Sequence, residues 1–213
     1  AHSSSSVSTP SRYSVLTGRY NWRSDLKSGV LMGYNKALIA PDRRTIASVL
    51  KDQGYQTACI GKWHLGWDWN NIEAGPDSVD FSKPISNGPT TRGFDYFYGI
   101  IASLDMAPYV YVENDMPTAL PDRVTVNDGM KYWRKGPTAS DFDHEQTLPN
   151  FINRAVDYIH DKSKEDKPFY LYLPLPAPHT PILPIKEYQG KSGLNPYGDF
   201  VLMVDDMVGK VMK

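Results

Sequence analysis

Residues 45–66 constrain the fold of this chain more than any other stretch. Ile46, Val49 and Leu50 recur at helical spacing within residues 45–53. Gly54 ends that helix. Residues 55–60 then read as a short strand rich in residues that tolerate β structure. The strand runs straight into Gly61-Lys62-Trp63-His64-Leu65-Gly66. A helix leading into a strand that opens into a polar loop is the repeating unit of an α/β sheet. In such sheets functional side chains collect at the carboxyl ends of the strands. Lys62 and His64 would emerge there, two residues apart in extended chain and so on one side. A cation can hold an oxyanion and an imidazole can move a proton. A surface lysine and a hydrogen-bonded histidine are the plainer alternative.

The second half repeats the theme. Leu148, Phe151, Ile152, Ala155 and Ile159 form a helical apolar face, followed by a charged turn over 162–167. The compact apolar run 169–173 predicts a buried central strand. It leads into Pro176-Ala177-Pro178-His179-Thr180-Pro181, where prolines on both sides stiffen the loop that carries His179. Residues 197–213 predict a helix with Val201, Val204, Val208 and Val211 on one face, and with Asp205 and Asp206 as solvated charges. Segments 20–41 and 67–91 read as loops, the second long enough to suggest a functional role. Residues 113–145 are mixed, broken by Pro117, Pro121, Gly129 and Pro137. There His144, among Asp141, Asp143 and Glu145, reads as a solvated helix start rather than a metal cluster. Asp105, in Ser103-Leu104-Asp105-Met106, could accept hydrogen bonds from sugar hydroxyls or serve as a turn residue.

The N-terminal stretch adds a second candidate element. Pro10 suits the first turn of a helix, Ser8 or Thr9 can cap it, and Gly18 can end it. Residues 1–7 would deliver the chain to that helix as a loop or strand end. Ser8 thus stands at a helix N-terminus, where free N–H groups favour an anion. Arg12, four residues on, can face the same way. A capped helix alone accounts for Ser8, Pro10 and Gly18, but not for Arg12 and Arg19 as well.

Composition narrows the class. The 213 residues are 40% hydrophobic and 22% charged with net charge −1, the balance of a globular domain without a polybasic nucleic-acid surface. No apolar run approaches the ~20 residues that span a bilayer. The single cysteine, Cys59, cannot form an internal disulfide and suits core packing.

Ser8-Thr9-Pro10-Ser11-Arg12 followed by Leu16-Thr17-Gly18-Arg19 resembles the signature of type I sulfatases, in the alkaline phosphatase superfamily. Gly54-Tyr55-Gln56-Thr57-Ala58-Cys59-Ile60-Gly61-Lys62-Trp63-His64-Leu65-Gly66 resembles the family's second signature, and Arg92-Gly93-Phe94-Asp95 a third segment. The resemblance implies a mixed, mostly parallel α/β sheet sandwiched by helices. It spans nearly the whole of residues 1–213, but only the middle of a sulfatase catalytic domain, so a fragment is expected. It implies hydrolysis of sulfate esters, of a sulfated carbohydrate above all. Position 8 would become formylglycine, made from Ser8 or from a cysteine that Ser8 replaces, by a maturation enzyme. By the same resemblance Arg12 supports position 8 and Lys62 neutralises sulfuryl oxygens. His64 takes a proton, and His179 contacts sulfate and the leaving oxygen. A divalent metal, usually calcium, is implied, with position 8 (Ser8) as the one ligand that maps here. The family's earlier Asp pair, later Asp-Asn/His pair and later lysine do not map onto this sequence. A secreted, periplasmic or lysosomal setting is implied. Two other readings remain: a phosphate or phosphonate ester hydrolase of the same superfamily in which Ser8 attacks directly, and a non-catalytic binder of sulfated glycans.

Overall fold

A computed structural model describes residues 2–213; of the predicted approach segment, position 1 lies outside them. A five-stranded sheet forms the centre, in the order β4 (Met116–Pro117), β3 (Val112–Glu113), β2 (Tyr96–Ile100), β1 (Gln56–Lys62) and β7 (Phe169–Tyr172). Strand β1 pairs in parallel with β2 on one side and β7 on the other. The two-residue strands β3 and β4 extend the sheet antiparallel beyond β2. The sheet is therefore mixed, with its long pairings parallel. Strand β1 is buried along nearly its whole length, which explains why its sequence lacks polar alternation.

Close approach of backbones fixes the centre. Gly61 and Gly99 lie opposite each other in the β1–β2 register. A side chain at Gly99 would collide with the Gly61 carbonyl oxygen, and one at Gly61 with the Pro174 carbonyl oxygen. Around this contact packs an aromatic core: Trp63, Trp67, Phe94 and Phe97 are each at most 1% exposed. Burying such a ring contributes roughly 2–3 kcal/mol, so these four side chains hold the loops after β1 and before β2 firmly against the sheet.

Helix α1 (Ser8–Thr17) ends at Gly18, whose φ of 66° is the left-handed cap the sequence predicts. Its start differs from expectation. Val7 is the N-cap residue and makes no side-chain cap bond. Neither the Ser8 nor the Thr9 hydroxyl caps the helix: Ser8 Oγ is bonded to the Arg12 side chain and to His64, and Thr9 Oγ1 accepts from the Leu31 N–H. Helix α2 (Ile46–Asp52) is closed by a reciprocal Thr45–Ser48 capping box. Its buried side chain is Ala47, while Ile46 and Val49 are exposed, so its packed face is narrower than the predicted one. Helix α3 (Thr147–Lys162) buries Leu148, Phe151, Ile152 and Ala155 as predicted. Helix α4 (Pro196–Met212) buries Phe200, Met203 and Met207, with Val204 and Val211 beside them. Val201 and Val208 are exposed: the packed face is rotated by one residue, because Phe200 and the two methionines fill more volume than the valines.

Two other expectations fail, and one region left as mixed resolves into strands. Residues 169–173 do not form a buried central strand. Strand β7 pairs with β1 alone among the described strands, and all four of its residues are half-buried. Residues 113–145, read as mixed, hold the last residue of β3, all of β4 and an antiparallel hairpin of β5 (Pro121–Asn127) and β6 (Trp133–Ala139). Pro117, Pro121 and Pro137 all lie within these strands, where short or two-stranded pairings leave an edge that needs no N–H. The region of His144 is not a solvated helix start. The ring is 6% exposed, stacked on Trp133 at 3.9 Å, and its Nε2 is buried without a partner. Burial pushes its pKa down to about 3. Its neighbours Asp141, Asp143 and Glu145 do not enclose it as ligands; among the described residues no three His, Cys, Asp or Glu side chains cluster for a metal.

Candidate active site

The carboxyl ends of β1, β2 and β7 lie on one edge of the sheet because the three strands are parallel. Each delivers a loop there. After β1 come Trp63 and His64; after β2 come Ser103 and Asp105; after β7 comes His179. The loops are stitched together by backbone bonds from Trp63 N to Ile100 O (2.9 Å), His64 N to Ile101 O (2.7 Å) and Lys62 N to Pro174 O (2.8 Å). His64 adopts φ 55°, a left-handed conformation that a non-glycine residue rarely takes. The chain from Lys62 to His64 is therefore turned rather than extended. This turn, not strand alternation, sends the His64 ring to α1.

Ser8 Oγ is bonded on two sides. Arg12 Nε donates to it at 2.7 Å, and His64 Nδ1 lies 2.8 Å away. The other ring nitrogen, His64 Nε2, is 2.7 Å from the Leu31 carbonyl oxygen. A carbonyl can only accept, so Nε2 carries the proton of a neutral ring and Nδ1 accepts from the Ser8 hydroxyl. Arg12 Nη1 donates to the Lys62 carbonyl at 2.6 Å, and Nη2 reaches Leu175 O at 3.4 Å. One guanidinium thus ties α1 to the ends of β1 and of the β7 loop.

A second array stands beside the first. Lys62, 2% exposed, donates from Nζ to Ser103 Oγ at 3.0 Å. Ser103 Oγ lies 3.1 Å from His179 Nδ1, which also sits 2.6 Å from Thr180 O. His179 is exposed, at the mouth of the site. Ser103 links two predicted residues that do not touch directly, and sequence reasoning did not single it out. Its position two residues before Asp105, in the loop after a strand, was the available signal.

No carboxylate bonds to Arg12 or Lys62 among the described residues. Burial lowers the Lys62 pKa to about 7, helped by Arg12 and opposed by Asp105. Burial, then Lys62, pushes His64 down to about 3, and burial lowers Arg12 as well. Buried Lys62 and half-buried Arg12, with no carboxylate partner among the described residues, stand next to a hydroxyl held by a neutral imidazole, an arrangement suited to holding an anion.

Asp105 sits at the edge of this array. One carboxylate oxygen is ion-paired with Arg134 of β6, while Oδ1 is buried with no partner. Arg134 Nη1 also donates to the Asp105 carbonyl at 3.0 Å. The pairing brings the unpredicted β5–β6 hairpin to the active-site loop.

A family model described as Sulfatase matches residues 1–213. The chain belongs to the sulfatase family. It is 33% identical over 246 aligned residues to an N-acetylgalactosamine-6-O-sulfatase of Bacteroides thetaiotaomicron, covering 100% of this chain and 47% of that protein. Identity to arylsulfatase A of Bos taurus is 31%, over 97% of this chain and 39% of the relative. A solved structure from work on glycosaminoglycan metabolism by Bacteroides thetaiotaomicron superposes with a TM-score of 0.83 at 30% identity, covering 99% of this chain and 49% of that one. The chain thus spans less than half the length of these relatives. Within this sulfatase chain, none of the described helices is long and apolar enough to cross a membrane.

Proposed function

We propose that the protein containing this chain hydrolyses sulfate esters of a sulfated carbohydrate, with position 8 as the attacking group. The observation that carries the reading is Ser8 Oγ held between Arg12 Nε at 2.7 Å and His64 Nδ1 at 2.8 Å, beside the buried Lys62. The names of the relatives support the reaction class, and N-acetylgalactosamine-6-O-sulfatase supports a sulfated amino sugar as substrate.

Position 8 fits a formylglycine. Its oxygen already has a cationic donor on one side and an unprotonated imidazole nitrogen on the other, which is what a pair of hydroxyls on one carbon requires. As its hydrate, that aldehyde supplies one hydroxyl to attack sulfur and a second whose deprotonation expels sulfate. Producing it removes two hydrogens from Ser8, or modifies a cysteine in its place, so a maturation enzyme is a partner in the proposal. A divalent metal is a different matter. The oxygen at position 8 is already bonded to a guanidinium, the unpartnered Asp105 Oδ1 is a single carboxylate oxygen, and hard cations need several oxygens. The residues described do not form that site, and no step is derived through it.

The chain's own groups divide the work. Lys62 Nζ and the first N–H groups of α1 bind the sulfuryl oxygens and stabilise charge that grows on them. Arg12 fixes the oxygen at position 8 and lowers its basicity. His64 Nδ1 accepts the proton of that oxygen, with Nε2–H anchored on Leu31. His179, whose Nδ1–H is held by the Thr180 carbonyl, presents Nε2 to the leaving oxygen and, in its imidazolium form, donates the Nε2 proton to it. Ser103 keeps Lys62 and His179 in one register. Asp105, through its unpartnered Oδ1, accepts from a sugar hydroxyl. A secreted, periplasmic or lysosomal compartment accompanies this reading, since sulfated glycans are found there.

The hydrogen bond from Ser8 to a neutral imidazole also favours a second reading, direct attack by Ser8 on a phosphate ester. Aryl sulfate and aryl phosphate assayed side by side with the full-length protein separate the two. Faster sulfate release is expected; phosphate release by a protein whose residue 8 is still serine would replace the first reading with the second.

A further inference from the structure

We propose that Thr9 is a positioning residue for His64, acting through Leu31. The inference rests on the proposed reaction for its kinetic consequence only. Thr9 is fully buried, at 0% exposure, on the first turn of α1. Its Oγ1 accepts from the Leu31 N–H at 3.1 Å. The carbonyl of that same residue accepts from His64 Nε2 at 2.7 Å, and His64 Nδ1 meets Ser8 Oγ at 2.8 Å. The bonds close a ring: Ser8 and Thr9, adjacent in sequence, hold the two ends of one path through Leu31 and His64.

The ring explains why a loop residue can set the proton of a functional histidine. Leu31 lies in the irregular stretch between the 3-10 turn Asn21–Arg23 and α2. No strand pairs with it among the described residues; its side chain is buried, the next anchor along the chain is Gly33 O accepting from Trp69 Nε1 at 2.9 Å, and at Leu31 itself α1 reaches the backbone through Thr9. The Thr9 bond is the only one to its N–H among the described residues. A displacement of Leu31 by about 1 Å would lengthen the Nε2–O contact beyond hydrogen-bonding range. Nothing else near Nε2 then requires it to carry the proton, and the ring is free to take the other tautomer. In that form Nδ1 bears the hydrogen and donates to Ser8 Oγ, where Arg12 already donates. The oxygen at position 8 would lose its proton acceptor, although every side chain of the site remained. The alternative is that Thr9 merely satisfies a buried backbone group and stabilises the fold.

The two roles separate in the full-length protein with residue 8 left as serine, which needs no maturation. Ring nitrogen-15 shifts of His64 read the tautomer directly. The wild type and Thr9→Ser are expected to carry the proton on Nε2. Thr9→Val, close in shape but unable to accept, is expected to show mixed tautomers. In the matured protein Thr9→Val should lower kcat by about 10- to 100-fold, the range for groups that orient a functional histidine, with KM changed less than about twofold. Thr9→Ser should restore most of it. Thr9→Ala, which adds no bulk, gives the same comparison if Thr9→Val does not fold. A wild-type proton on Nδ1 would overturn the proposal. So would an unaltered His64 tautomer in a folded Thr9→Val or Thr9→Ala protein. Lack of sulfate release by every form would count against the proposed function, not against the tautomer assignment.

Discussion

Replacing Lys62 by methionine is expected to make the protein more stable and a worse enzyme. The side chain is 2% exposed, and its one hydrogen bond goes to Ser103 Oγ at 3.0 Å. Its pKa falls from 10.5 to about 7, chiefly through burial and then through Arg12. The unfolded chain therefore binds more protons than the folded one between these values, so stability rises with pH across that window. Below pH 7 the fold carries the full cost of a buried ammonium. At about 1.4 kcal/mol per pH unit, this is on the order of 5 kcal/mol near pH 6 and about 2 kcal/mol near pH 9. Lys62→Met has nearly the same length and no charge. Its stabilising effect in urea unfolding should be largest near pH 6 and shrink toward pH 9. Turnover of a sulfate ester should fall roughly 10²- to 10³-fold, as when one donor to a developing oxyanion is removed. A variant that is less stable at pH 6, or one with wild-type kcat/KM, would refute the reasoning. The first result would mean that Lys62 already has a counter-ion; the second, that it does not face the sulfuryl group.

Asp105→Ala should raise KM for a sulfated sugar about tenfold with little change in kcat, because it removes an acceptor for a hydroxyl remote from sulfur; an unchanged KM would make Asp105 only an anchor for Arg134. Gly99→Ala forces a methyl group onto the Gly61 carbonyl in the β1–β2 ladder. It should cost about 3 kcal/mol or more, read as lost soluble yield or a lowered Tm; near-normal stability would show that the two strands can separate.

The central unit of the fold was legible because its signals are local. Helix, glycine stop and strand follow one another within residues 45–62, and the αL cap at Gly18 needs only glycine to be recognised. Lys62, His64 and His179 stand out for the same reason: Lys62 ends a strand and each histidine lies in the loop that follows one. Other features depend on partners distant in sequence. Strand β7 is as apolar as a central strand, and nothing in four residues says that only one edge is paired. The β5–β6 hairpin was hidden by its prolines, whose missing N–H groups matter only when both edges of a strand are used. Within the site, Ser103 became visible only when the loop after β2 met Lys62 and His179, 41 and 76 residues away. The His64 turn was missed because a positive φ at a histidine has no compositional signature.

The central claim is that the oxygen at position 8, held by Arg12 and His64, attacks sulfur, and that serine with its single hydroxyl cannot complete the cycle. The most direct measurement is the mass of the peptide spanning position 8, taken from the same full-length sample whose sulfate release is followed over many turnovers. The account expects turnover only from protein in which residue 8 has lost two hydrogens relative to serine, or in which Ser8→Cys has been converted to the same aldehyde. Sustained turnover by protein whose peptide retains the mass of serine would contradict it.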